Sequence, residues 1–234
     1  MAACNGKCYA IGGYKMTAKD PRNETYEYDP TTSLWTRKAD MPTPRWGPVS
    51  VEFDGKLYVF AGQGASAGSA KNEVYDPPAD NWQTRADIPS GLAQQGLMGV
   101  RYGNRVHLFY RSAHYEYDPA TDTYTARASV PTARTWGTCA AVNNLIYVIG
   151  GYAYPGGPTN VNEVYNSVTD SWAVKAPLPK SQYGVTRENP VINGLIYVTH
   201  GRSTPFYTDN YAYDPASDTW RRKASAQHPR DGVG

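Results

Sequence analysis

Histidine, carboxylate and cysteine are the side chains to weigh first for catalysis, and their spacing in this chain supports little. The four histidines, His107, His114, His200 and His228, form no His-x-x-x-His or His-Glu pair, so the two-ligand arrangement of a zinc hydrolase is missing. No Gly-x-Ser-x-Gly elbow, phosphate loop or Cys/His zinc spacing occurs, which leaves hydrolase and nucleotide chemistry without support. Glu27, Glu73, Glu116 and Glu163, with Asp29, Asp76 and Asp118, invite a reading as paired catalytic acids. They recur along the chain at comparable places, so they read instead as turn and rim chemistry. Cys4 and Cys8 flank the turn Asn5-Gly6-Lys7 without Cys-x-x-Cys spacing or a nearby His. Together with Cys139 they read as small buried strand residues. No catalytic residue, metal or cofactor is expected.

A second set of residues has the chemistry of recognition. Arg45, Trp46, Arg111, His114, Trp136, Tyr154, Tyr183, His200, Arg202, Tyr207 and Arg230 combine guanidinium, imidazole and aromatic groups. That mixture is what a protein hot spot or a sugar-stacking site uses. Arg45, Arg134 and Arg230 recur at one place, with Gln94 and Gln182 as counterparts. They suit blade-to-blade hydrogen bonding as well as ligand contact.

These residues must be positioned by a repeat. The segment from Asn143-Asn144 through Leu145-Ile146-Tyr147-Val148-Ile149 to Gly150-Gly151 recurs from Asn5, Asp54 and Asn193, with a degenerate copy from Gly103 to Arg111. Each copy opens with a pair able to take positive φ at both positions, a strong hairpin signal, and continues as an apolar run. Tyr28, Tyr75, Tyr117, Tyr165 and Tyr213 follow, mostly as Tyr-Asp-Pro. Trp35, Trp82, Tyr124, Trp172 and Trp220 stand seven residues later, and an Ala follows four residues after each. The residue before that Ala is always basic, which reads as protection of an outer strand edge. Each unit is expected to form four short antiparallel strands, a to d, that stack radially because one sheet cannot bury both faces alone. The repeated aromatics are expected to be buried.

The order of apolar strand, Gly-Gly, Tyr-Asp-Pro, spaced Trp and a Pro-Arg turn such as Pro44-Arg45 resembles the Kelch repeat over the whole chain. The resemblance implies an all-β propeller, here one domain spanning 1–234 with five four-stranded blades whose a–b turns begin at 5, 54, 103, 143 and 193. Aligning Pro229-Arg230 with Pro44-Arg45 brings the chain's end to its start, so the two termini are expected to complete one blade and close the ring. Kelch proteins generally have six or seven blades, and a fragment of a larger ring is the alternative. The resemblance also implies a protein- or peptide-binding scaffold. A carbohydrate-binding or sialic-acid-mutarotase-like propeller is the other reading, with His200, His114 and Arg111 supplying the polar groups. The copper and Cys-linked Tyr of galactose oxidase do not fit cysteines placed within strands.

In such a blade the a–b and c–d turns share one face, and the b–c and d–a connections share the other. The first face is nearly constant, whereas the b–c gap runs to 15, 13, 6, 14 and 12 residues. Variable loops on a rigid scaffold carry binding, so the eleven residues above are assigned to the b–c/d–a face. A net charge of +2, from 23 basic and 21 acidic residues, offers no concentrated field for nucleic acid or an anionic membrane. No apolar run reaches a membrane span, and the first residues lack the pattern of a signal peptide. Asn23-Glu24-Thr25 matches a glycosylation sequon by chance. A cytoplasmic monomer is expected, with a protein segment or a small carbohydrate as its partner.

Overall fold

The computed structural model describes residues 1–18, 20–184, 190–202 and 207–228. It is all-β apart from a short 3-10 turn at Ser90–Leu92. Five four-stranded sheets follow one another along the chain. The first contains β1 (Ala2–Cys4), β2 (Lys7–Lys15), β3 (Asp20–Asp29) and β4 (Leu34–Lys38); the second contains β5 (Val49–Phe53), β6 (Lys56–Phe60), β7 (Asn72–Asp76) and β8 (Asn81–Thr84). The third is built from β9 (Met98–Tyr102), β10 (Arg105–Tyr110), β11 (Ala113–Asp118) and β12 (Thr123–Ala126). After β13 (Arg134–Thr135), the fourth uses β14 (Thr138–Val142) and β15 (Leu145–Ile149). It resumes beyond β16 (Tyr152–Ala153) and β17 (Gly157–Pro158) with β18 (Asn162–Asn166) and β19 (Ser171–Lys175). The fifth has β20 (Val191–Ile192), β21 (Leu195–Thr199), β22 (Asn210–Asp214) and β23 (Thr219–Lys223).

Two compact units emerge: residues 1–97 with 117–124, and residues 98–116 with 125–234. In the first, Cys4, Tyr9, Leu57 and Tyr75 form a buried cluster. In the second, Met98, Phe109, Val148 and Tyr165 belong to one cluster, and Tyr147, Leu178, Val198 and Tyr213 to another. The apolar strand-b runs supply half of these side chains because both faces of the strand are covered.

Local chemistry follows the repeat closely. The a–b turns take positive φ at both positions in four sheets, as at Asn5-Gly6 and Asp54-Gly55; in the third only Gly103 does. The Asx turns after strand c are present, with Thr31 N–H donating to Asp29 at 2.8 Å and Ala120 N–H to Asp118 at 2.9 Å. Cys4 and Cys8 do not oppose each other: Cys4 pairs with Lys7 and Cys8 with Ala3, so alternation buries Cys4 and exposes Cys8.

The recurrent Ala and Trp form a latch between successive sheets. Trp82, Trp172 and Trp220 each donate Nε1–H to the carbonyl of the preceding sheet's Ala (Ala39, Ala128, Ala176) at 2.9 Å. The Tyr124 hydroxyl does the same to Ala86 at 3.0 Å. Each Ala N–H in turn donates to an Asp of the next sheet, Asp80, Asp122, Asp170 or Asp218. That Asp also accepts from its own sheet's Tyr hydroxyl, as Asp170 does from Tyr165 at 2.6 Å. The Tyr165 hydroxyl and the Ala128 N–H hold Asp170 below the usual carboxylate range. Lys38 lies 3.9 Å from Asp80, so the basic residue before Ala faces the latch as well as the outer edge. Replacing Trp172 by Phe keeps most of the apolar surface and removes one hydrogen bond, and is expected to cost about 1 kcal/mol in a denaturant melt.

Trp35 departs from this pattern. It was expected to be buried with the others, and it is 52% exposed. Its indole has no hydrogen bond among the described residues, and Ser33 stands where the other sheets carry the latch Asp. The other repeat aromatics are half-buried rather than fully enclosed. The expected meeting of the termini falls on residues 229–234, outside the described residues.

Candidate functional site

Within each unit the d–a connections lie against b–c loops. In the first unit Gly13 N–H donates to the Arg45 carbonyl at 3.0 Å, and Trp46 bridges Gln63. Gly12 is required there: its φ is +63°, and a Cβ would stand 2.5 Å from the Arg45 carbonyl oxygen. In the second unit Arg111 bridges Arg134, Arg134 and Thr135 pair with Ala153 and Tyr152, and Tyr183 bridges Arg202. The strip β13–β16–β17 therefore aligns loops from the third, fourth and fifth repeats.

On that strip four of the expected residues converge, joined by two more. The Arg111 guanidinium lies 5.3 Å from the Tyr154 ring centre and 5.9 Å from that of Tyr110. The Tyr154 ring lies tilted against Tyr152 with centres 4.9 Å apart, and Tyr152 meets Tyr183 edge-on at 5.1 Å. Arg202 lies 5.9 Å over Tyr183. Arg111, Tyr154 and Arg202 are exposed, and Tyr110, Tyr152 and Tyr183 are half-buried. Cations over aromatic faces hold one another in place.

Two bulky residues beside this strip take left-handed backbone that other repeats mostly give to small ones, His200 in the fifth being the exception. Strand b of the third sheet runs one residue longer, and the left-handed step taken elsewhere by Gly12 or Gly150 falls on Arg111 at φ +54°. Trp136 takes φ +57° in register with Gly47, Gly96 and Gly184. Left-handed backbone costs a non-glycine residue about 1 kcal/mol. Such strain tends to be stored at functional sites.

The remaining expected residues are elsewhere. Arg45 and His114 were assigned to a ligand-facing rim; both are buried. Arg45 is fully enclosed and pairs with Glu73 at 2.8 Å, donating also to the Val59 carbonyl at 3.0 Å. Arg134 is bound in the same way to Glu163 and to the Val148 carbonyl. Glu73 and Glu163 are thus core ion-pair partners rather than rim residues. His114 bonds His107 at 2.9 Å inside the third sheet, so it cannot join Arg111 and His200 in a sugar-isomerising pocket. Trp46 sits in the first unit against Tyr14, ring centres 5.6 Å apart. Tyr207 lies under Lys180 at 4.8 Å. His200 takes the left-handed step at φ +59° and lies outside the aromatic string. Arg230 is outside the described residues. Tyr152 and Tyr110 were left out of the expected set, although the pairing of Tyr152 beside Arg134 makes Tyr152 central. Among the described residues no cluster of three or more His, Cys, Asp or Glu could hold a metal, and no helix is long and apolar enough to cross a membrane.

Comparison with known proteins agrees with this architecture. Residues 1–232 match the family model of the KLHDC2/KLHL20/DRC7 Kelch-repeats domain. Kelch-like protein 26 of Danio rerio is 25% identical over 77% of this chain and 31% of its own length. Kelch-like protein terF of Aspergillus terreus is 26% identical over 90% of this chain and 51% of its length. For Kelch-like protein 23 of Pongo abelii the figures are 27%, 95% and 40%. The chain thus spans between about a third and a half of these curated relatives. With five latched four-stranded sheets and a family match over nearly its whole length, the chain belongs to the Kelch-repeat family.

Proposed function

We propose that this Kelch chain is a non-catalytic interaction scaffold that binds an exposed segment of a protein partner. The binding surface is Tyr110, Arg111, Tyr152, Tyr154, Tyr183 and Arg202. The observation that carries the reading is the partly exposed row of Arg and Tyr in mutual contact drawn from three repeats, with Arg111 held in left-handed backbone beside it. Tyr and Arg are the side chains that dominate hot spots, and a row anchored by its own stacking loses little entropy on binding.

The test is selection of binders from a random peptide library, run beside a glycan panel that includes sialosides. Arg111→Gly and Tyr154→Ala are then measured against the selected ligand. Each is expected to weaken peptide binding by at least about 1 kcal/mol. Arg111→Gly relieves the strained backbone, so its melting temperature is expected to stay level or rise. Lys56→Ala and Thr123→Ala, on the opposite turns, are expected to bind normally. Peptides that bind Arg111→Gly as tightly as the parent would refute the assignment, and glycan ligands without peptide ligands would favour the carbohydrate reading.

A further inference from the structure

We propose that β19, the edge strand of the fourth sheet, pairs antiparallel with β19 of a second copy of this chain about a two-fold axis at Ala173. The fourth sheet is flanked on both sides within its own unit: Trp172 donates to the Ala128 carbonyl of the third sheet, and the Ala176 N–H to Asp218 of the fifth. Its outer strand β19 pairs only with β18 among the described residues. A free strand edge is a template for another chain, and polar or charged side chains are the usual protection. The other four d strands carry at least one such residue in the two positions after the repeat aromatic: Thr36-Arg37, Gln83-Thr84, Thr125-Ala126 and Arg221-Arg222. In β19 these positions hold Ala173 and Val174; both are exposed, Val174 by 77%.

Backbone and side chains favour self-pairing in one register. Across the sheet Ala173 faces Val164, and Lys175 faces Asn162. The residues equivalent to Lys175 in the second and third sheets donate inward, Arg85 to the Asn72 carbonyl at 2.9 Å and Arg127 to that of His114 at 3.0 Å. Hydrogen-bonding groups alternate in direction along an antiparallel strand, so Trp172 and Val174 turn their N–H and C=O outward. A two-fold axis at Ala173 sets Trp172 of each copy opposite Val174 of the other, and each such pair exchanges both backbone hydrogen bonds. The side chains of Trp172 and Val174 share a face, so each indole meets a β-branched partner, a favourable cross-strand pair. Lys175 comes opposite Ser171, so no like charges meet. The same register in the fifth sheet would press Arg221 against its own copy. The contact uses the same patch on both chains and closes at two. Only five residues a side take part, so the dimer is weak.

The experiment joins sedimentation equilibrium of the 234-residue chain, over a wide concentration range, to cysteine trapping. The average mass is expected to rise with concentration and to level at two chains. Val174→Arg and, independently, Ala173→Arg are expected to weaken association at least about tenfold. The fifth sheet carries Arg at both equivalent positions, so neither change threatens the fold. Ala173→Cys brings two thiols across the axis with Cα atoms about 4.5 Å apart, within disulfide reach. Oxidised glutathione is expected to link that variant into a covalent dimer. The parent chain, with its exposed Cys8, and Ala216→Cys, on an exposed turn of the fifth sheet, are expected to stay unlinked. Linking of Ala173→Cys no faster than of Ala216→Cys overturns the proposal, as does association that ignores both Arg changes or grows beyond two chains. If the chain is monomeric and selected peptides lose their hold on Val174→Arg, the edge takes another protein's strand, and the second copy is excluded.

Discussion

Glu163→Ala is expected to destabilise the protein by about 3–5 kcal/mol, the cost of leaving a buried charge without its counter-ion. For a chain of this size that is a fall of roughly 10 °C in Tm. Arg134 is 0% exposed. Its guanidinium is held by Glu163, by the Thr132 carbonyl at 2.8 Å and by the Val148 carbonyl at 2.8 Å. Thr132 also donates its hydroxyl to Glu163 at 2.7 Å, so the carboxylate ties the d–a connection to strand c of the next sheet. Carbonyl dipoles alone do not replace a carboxylate in that enclosure, and water cannot reach the group. The double change Arg134→Met with Glu163→Leu is expected to recover most of the loss, because it removes both desolvated charges together. Glu73→Ala, which strands Arg45, should behave like Glu163→Ala. Thermal melts with and without a selected peptide separate the two roles these arginines could have. Unchanged melting with lost peptide binding would return Arg134 to the ligand surface.

That ion pair was legible in the sequence in a form that is easy to pass over. Glu73 and Glu163 stand two residues before the repeat Tyr, whereas Glu27 and Glu116 stand one before it. A slip of one residue in a strand turns the side chain to the other face, so the four do not form one class. Glu73 and Glu163 occur only in the repeats that Arg45 and Arg134 introduce; where Gln94 or Gln182 introduces the repeat, Tyr115 or Tyr211 holds that position. Recurrence marks the Arg, but only the paired change in the following repeat gives its direction.

The strands, turns and latch residues were readable because each repeats and each has a local mechanism: positive φ in the a–b pairs, Asx turns at Tyr-Asp-Pro, and an aromatic spaced from its Ala. Trp35 defeated the same logic. A latch needs two sheets, and Ser33 for Asp was the local clue that this junction differs. At the candidate site, Arg111, Tyr154, Tyr183 and Arg202 were found as breaks in the pattern. Tyr152 stands beside Tyr154 in the same pattern-breaking loop, but its central place in the row comes from the pairing of β13 with β16, a contact between loops of unequal length that periodicity does not encode. Trp46 and Trp136 look alike beside their Arg, yet Trp136 stands one register position later, in the place of Gly47.

Stability is expected to fall between pH 7 and pH 5 by about 2 kcal/mol for each of His107 and His114. Both are buried at 0% and 2% exposure, in the positions held by Tyr58 and Asn72 or by Tyr147 and Asn162 in neighbouring repeats. His114 Nδ1–H must donate to the Ala128 carbonyl at 3.1 Å, so its Nε2 accepts from His107 Nδ1–H at 2.9 Å. That leaves His107 Nε2 unprotonated, 3.5 Å from Glu116. A proton there would face a carboxylate, but Arg127 already holds Glu116 at 2.9 Å, with Arg105 at 3.7 Å. Burial, and then the charge of Arg127, pushes His107 down to about 4. Burial, and then His107, pushes His114 down to about 3, against a smaller upward pull from the Ala128 carbonyl, Asp170 and Glu116. The unfolded chain takes up these protons near pH 6.5 and the folded chain refuses them until far lower pH. The stabilisation is therefore complete above pH 6.5 and is lost as pH falls toward the folded values. Down to pH 5 most carboxylates are still ionised in both states, so the greater part of the slope belongs to histidine. His107→Tyr with His114→Asn restores the pattern of the other sheets and is expected to flatten the urea-melt stability between pH 7 and 5. Equal slopes for parent and double variant would show that the pair is not what titrates.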